Sequence, residues 1–374
     1  MSAAPENARP MPWLRQRAGR AALLGAAATA LLGGWALVSP GSPGAGWLIG
    51  LFFWLTVALG TLLLLEVHAL TGGRWGDALR PALLPAATSL PAFLLLVLPL
   101  LLALPAVYPW VRGGAADTMH GDVARLWLNP LGFSLRALLL LLGWSAVALL
   151  LVRLRGGGWR TGIGAIGLVF HIAATTLLGL DWLLSLDPHF RSTAFGLAVA
   201  GMQLLAGLAW AAILRPEPQG DNQPGRAGDL AALLIAAALA VLYLGFAQYL
   251  VAWYGNLPEK AAWFLARGGW GWTGVQAGSV VLASLLPIGL LLRRRVRRSP
   301  VALAKLGPWV LLGLLLHLVW IVAPVFGWGA VLAGGLGVLA VGGLWVGLAY
   351  GPLTAWALGG NGATEPPGEA SHAG

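Results

Sequence analysis

The sequence predicts an all-α polytopic membrane protein with about ten transmembrane helices, and three observations carry that expectation. Hydrophobic residues make up 58% of the 374-residue chain and charged residues only 10%, against roughly 25% charged in soluble domains. The apolar residues gather in runs of about 20, the length a helix needs to cross the hydrocarbon core. The Lys and Arg residues lie almost entirely between those runs, and mostly on one side of the implied membrane.

Taken in order, residues 1–20 form a basic cytoplasmic N-terminus, and 21–350 form the transmembrane domain. The expected spans are 21–39, 46–69, 87–110, 131–152, 161–183, 193–214, 230–254, 270–292, 303–324 and 329–350. The first follows Arg15, Arg17 and Arg20. It lacks a convincing small-residue cleavage site, so it reads as a retained span rather than a signal peptide. Residues 71–85 mix polar and apolar positions like a short helix at the inner interface. Residues 109–130 form a longer outer loop, and 255–272 an outer-surface helix with Gly and Trp at its flanks. The tail, 351–374, ends in GGNGATEPPGEASHAG without apolar periodicity and is expected to be disordered.

Charge tests this layout. With the N-terminus inside, only Arg112, Arg125, Arg191, Lys260 and Arg267 fall outside, and Arg136 falls within a span. All the rest of the 23 basic residues fall inside, six of them between Arg293 and Lys305. The net charge of +10 therefore records topology with both termini inside, and no nucleic-acid partner is expected. The absence of cysteine excludes protein-ligated iron–sulfur clusters, covalent c-type haem and disulfides. No metal site is expected. Phosphate-cradling loops, zinc-binding helices and nucleophile elbows are absent as motifs, and GLGVLAVGG (335–343) reads as close helix packing.

Polar residues at membrane depth are the candidates for function, because lipid makes them costly. His171 lies near the middle of span five and Asp181 near its outer end, about 15 Å apart along the axis, so the two could border one cavity without touching. Arg136 reaches a depth similar to that of Asp181. An ion pair between them competes with a proton or quinone-headgroup role for Asp181. Glu66 and His68, two positions apart on span two, point in different directions. One is expected to face the bundle and the other headgroup water, with Glu66 a candidate for proton entry. His317 lies in span nine. A b-type haem between His171 and His317 is disfavoured, because the spacing shows no paired axial histidines. Gln248, Gln276, Tyr243, Tyr249 and Tyr254 are expected to face the protein interior or a wet cavity. At 187–193, Pro188 should stop a helix, and Ser192 or Thr193 should cap the next.

Four stretches resemble the F subunit of bacterial alternative complex III, a quinol:cytochrome c oxidoreductase. They are LDWLLSLDPHFRSTAFG (180–196), FAQYLVAWYGNLPEKAAWFLARGGWGW (246–272), LLEVHALTGGRWGDALRPAL (64–83) and LPAVYPW (104–110). The resemblance spans about 50–326. It implies a fold similar to the polysulfide-reductase membrane subunit, with two four-helix bundles plus peripheral helices, in a bacterial cytoplasmic membrane. It also implies a quinone or quinol as ligand and a proton path. Its partners would be a related membrane subunit, an iron–sulfur protein and c-type cytochromes that carry the electrons. The matching positions are Asp181, Asp187, His189, Gln248 and Glu259. The chain departs from the pattern at Phe190, where Trp is usual, and at Lys260 and His317, where acids are expected. A proton-coupled secondary transporter and a structural anchor for a peripheral cytochrome stand as the alternative functions.

Overall fold

The computed structural model describes residues 12–112, 126–153, 157–188, 190, 192–214, 225–255 and 257–357. The described residues are helical and carry no strand. Nine of their helices are long and apolar enough to cross a membrane. These are α2 (Gly41–Thr71), α3 (Arg74–Leu102), α4 (Pro130–Arg153), α5 (Gly158–Leu186), α6 (Phe195–Leu214), α7 (Ala227–Tyr254), α9 (Trp270–Leu291), α10 (Pro300–Val325) and α11 (Gly329–Thr354). Two further helices are α1 (Pro12–Ala36), on which the first expected span falls, and the short α8 (Pro258–Ala266). α1 carries Arg20 and several Gly and Ala residues, and its apolar character falls short of the other nine.

α2 is the axis of the assembly. It is apolar all round, as a helix buried on every side must be, and it packs against α11, α6, α3 and α5. Close approach depends on glycine. A Cβ at Gly60 would overlap the Gln203 carbonyl of α6, and one at Gly337 of α11 would overlap the Gly46 carbonyl. On the periphery the pattern reverses. Leu131, Leu135, Leu139 and Leu142 are all at least half exposed and fall on one face of α4, spaced i, i+4, i+8, i+11. A bilayer supplies the apolar partner for such a stripe.

The third span corrects the expected boundaries. It begins at Arg74 rather than 87, and the stretch read as an interfacial helix is its first half. Gly76, Leu79 and Ala82 through Thr88 are buried, so this segment turns its apolar face to the bundle instead of the membrane surface. Gly72 and Gly73, with φ of 62° and 96°, make the reversal from α2, in a backbone region that side chains disfavour. Further along, Pro99 and Pro105 break α3 into short turns up to Val107, because each lacks the N–H that a continuous helix needs. In α9, a π-helical turn at Val281–Leu285 precedes Pro287, and Ser284 Oγ there donates to Ala238 O on α7 at 3.1 Å. The tail expected to be disordered from 351 begins as helix, Gly351–Ala357, continuing the last span; residues from 358 onward lie outside the described residues.

Candidate functional site

Two polar features stand on different faces of α6. The first is a buried cluster on α2, α5 and α6. Glu66 and His171 are both fully buried, with Glu66 Oε2 3.0 Å from His171 Nδ1. The contact is off the line a hydrogen bond requires. Both Glu66 oxygens and His171 Nδ1 therefore lack a hydrogen-bond partner among the described residues, and the two groups meet as an acid–base contact. On its other side, His171 Nε2 lies 3.1 Å from Gln203 Oε1, which also accepts from Thr175 Oγ1 at 3.1 Å. Trp144 of α4 stands edge-on to the imidazole, with centroids 5.9 Å apart. Glycine shapes the cluster: a Cβ at Gly167 would lie 3.1 Å from Glu66 Oε1.

His68 is turned away from this cluster, as the two-residue offset requires, but it does not reach headgroup water. It is 3% exposed, because the start of α3 folds over it. Its Nε2 lies 3.1 Å from Gly73 O and 3.5 Å from Asp77 Oδ1, and its Nδ1 lies 3.2 Å from Arg160 Nη2. His68 thus ties the α2–α3 turn to the start of α5.

Asp181 occupies separate surroundings from His171. Arg136 Nε is 2.6 Å from Asp181 Oδ2, and Trp127 Nε1 donates to Oδ1 at 2.9 Å. The guanidinium also donates from Nη2 to Trp127 O at 2.9 Å and lies 4.2 Å from the centre of the Trp127 ring. Every strong group here has an opposite-charge or donor partner, which is the arrangement of a structural ion pair.

The second feature is a cavity of about 830 Å³ walled by α6, α7, α8, α9 and α10, within the usual range for ligand pockets. Its lining is mostly apolar, with Val199, Met202, Val241, Phe246 and Leu314 among the wall residues. A few polar groups converge in it. His317 Nδ1 lies 3.0 Å from Gln276 Oε1, and His317 stacks against Trp320 at an interplanar angle of 22°. Gln248 Oε1 accepts from Ser192 Oγ at 3.2 Å, so the Ser192 hydroxyl serves a neighbouring helix rather than the start of α6. Arg267, 3% exposed, closes one end. It donates to Ile321 O and Trp263 O, lies 3.8 Å from the Trp263 ring centre, and has Asp187 Oδ2 at 3.9 Å. Burial lowers Arg267 to about 10, opposed by the Asp187 charge, so it stays cationic at neutral pH.

The structure thus sorts the candidates into three groups: Glu66 with His171, His317 with Gln248 at one cavity, and Asp181 with Arg136. Gln203, Thr175 and Arg267 were missed. Gln203 was the most legible of these, as the one amide in an otherwise apolar stretch of α6. The tyrosines of α7 depart from expectation: Tyr243, Tyr249 and Tyr254 are 68%, 48% and 84% exposed. Their rings can be amphipathic edges of the helix rather than core groups, and only Tyr249 of the three borders the cavity. His189 and the side chain of Glu259 lie outside the described residues. No group of three or more His, Cys, Asp or Glu suited to a metal occurs among the described residues. No protein-family model matches the sequence, and no curated protein matches it.

Proposed function

We propose that the chain is an integral membrane subunit of a respiratory quinol:cytochrome c oxidoreductase of the alternative complex III type, contributing a quinone site while partner subunits carry the electrons. The observation that supports this most is the cavity. It is large and mostly apolar, lies between spanning helices and α8, and carries a few polar groups in its wall, His317, Gln276, Gln248 and Arg267 among them. A quinone headgroup needs a few hydrogen-bonding groups in an apolar slot, and its isoprenoid tail needs apolar walls. His317 Nδ1–H donates to Gln276 Oε1, which leaves the Nε2 lone pair to accept from a quinol hydroxyl. The arrangement as two four-helix bundles with peripheral helices, both termini inside a bacterial cytoplasmic membrane, belongs to the same proposal.

Purification of the tagged protein from its native membrane tests the reading. Iron–sulfur and c-haem subunits that copurify with quinol:acceptor activity support it, as does an extractable quinone lost in His317→Leu. A protein that emerges alone, without quinone, refutes it. In that case the interruption of α3 around Pro99 and Pro105 favours a proton-coupled secondary transporter, a class in which broken helices form the site.

A further inference from the structure

Among the described residues, six buried side-chain polar atoms lack a hydrogen-bond partner, and five of them surround one imidazole. They are Glu66 Oε1 and Oε2, His171 Nδ1, Gln203 Nε2 and Trp144 Nε1. Each belongs to His171 or to a side chain in contact with it. Orphaned buried polar groups are rare and costly, so five at one point call for an occupant. The chemistry of the set identifies it. Trp144 and Gln203 present donors, while Glu66 and His171 present acceptors. A cation would face two N–H donors, and an anion would face the Glu66 carboxyl. Water satisfies both kinds of group.

We infer that Glu66, His171, Gln203 and Trp144 enclose a hydrated proton-holding site, in which one proton is shared by the Glu66 carboxyl and His171 Nδ1. The second shell sets the tautomer. Gln203 Oε1, held also by Thr175, keeps a proton on Nε2 of His171 and leaves the Nδ1 lone pair toward Glu66. One further proton neutralises the pair. It rests on Glu66, since a neutral couple avoids two buried charges whose contact is poorly aligned. Its transfer runs through the enclosed water, since the direct contact is poorly aligned: the carboxyl O–H bond breaks toward the water as the water gives up a proton to form N–H at Nδ1, so the water is regenerated and the net charge of the site does not change.

The surroundings leave the pair to itself. α6 carries no titratable residue between Phe195 and Leu214, and Arg136 and Arg153 stand toward the two ends of α4. On α3, Asp77 meets His68, which also takes the contact from Arg160 of α5. Arg74 and Arg80 of α3 lie on the same inner side, and Asp181 at the far end of α5 is paired with Arg136. The inference is independent of the quinone reading, since it uses no cavity residue.

Infrared difference spectroscopy on the full-length protein in lipid nanodiscs tests it, comparing H2O with D2O. A protonated-carboxyl stretch is expected at neutral pH, shifted down in D2O, absent in Glu66→Gln and moved in Glu66→Asp. Trp144→Phe and Gln203→Leu should each shift that band by removing a water partner, with the fold intact by circular dichroism. If Glu66→Gln does not fold, the shift in Glu66→Asp and in the two water-partner variants decides the matter. A spectrum in which Glu66 contributes only carboxylate bands overturns the proton-holding site. A carboxyl band unmoved by both water-partner variants overturns its hydration.

Discussion

Replacing Asp181 with Asn separates the two roles this residue was expected to fill. Breaking a fully buried ion pair costs about 3–5 kcal/mol, because the surviving charge is left without its partner. Here the penalty is softened. Arg136 is 17% exposed, keeps its bond to Trp127 O, and keeps its place over the Trp127 ring. Asn can also still accept from Trp127 Nε1. A loss of about 2–3 kcal/mol is therefore expected, at or just below the bottom of that range. It should be read from the tryptophan-fluorescence melt of the protein in mild detergent. The companion variant, Arg136→Gln combined with Asp181→Asn, removes the stranded cation as well. Additivity fails for such neighbours, so the double variant should recover about 1–2 kcal/mol of the single-variant loss. Activity should recover in step with stability. An Asp181→Asn protein as stable as the parent refutes the ion-pair reasoning. So does a double variant that regains stability but stays inactive, which would assign Asp181 to proton or ligand chemistry.

Three further outcomes follow from the same geometry. Gly60→Val drives a side chain into the Gln203 carbonyl; overpacking of this kind costs about 1–3 kcal/mol, and hydrogen exchange should show α6 loosened along the α2 contact. His317→Leu removes one hydrogen bond accepted from a quinol hydroxyl, worth about 1 kcal/mol, so a quinol analogue should bind severalfold to about tenfold more weakly by equilibrium titration, while the melting temperature changes little. Arg267 has a lowered value of about 10, with desolvation the main cause. Its buried charge thus costs stability at every pH below that value, and the cost is relieved only as pH rises above about 10 toward the ordinary arginine value of the unfolded chain. The melting difference between the parent and Arg267→Met should accordingly be flat from pH 6 to 9, and a slope there contradicts the assignment.

Much of the architecture was legible because lipid imposes a length and a polarity that composition reveals directly. The apolar runs placed most helices to within a few residues; α1 begins at Pro12 rather than 21, and the larger departure is at Arg74. There the amphipathic pattern of 74–85 is the same whether the apolar face meets a membrane surface or a neighbouring helix, and only the packing against α2 decides. The site was less legible. Spacing along one helix separates Glu66 from His68, but nothing along the chain says that Glu66 meets His171 more than a hundred positions away. That contact depends on how Gly60, Gly167 and Gly207 let α2, α5 and α6 approach. The cavity was hidden for the same reason. Its polar groups come from three helices, and each looks alone like an isolated buried residue.

α6 is the common wall of the two polar features, and its sequence says how they communicate. Met202 borders the cavity, while its neighbour Gln203 holds His171; adjacent helical positions point about 100° apart. The wall is one helix thick, about 10 Å with its side chains. Between Phe195 and Leu214, Gln203 is its only amide, with no charged residue or hydroxyl group beside it. No relay of polar side chains therefore crosses α6, and the cavity and the acid–base pair interact only through the position of the helix itself. Neutralising the pair should then leave ligand affinity nearly unchanged. Glu66→Gln is expected to alter the Kd of a quinone analogue by less than about twofold, within about 0.4 kcal/mol, whereas Met202→Ala, which enlarges the cavity and unloads the wall, should weaken it. A large affinity change in Glu66→Gln would mean that the two sites share a proton path around α6, and the wall would have to be redrawn as a gate.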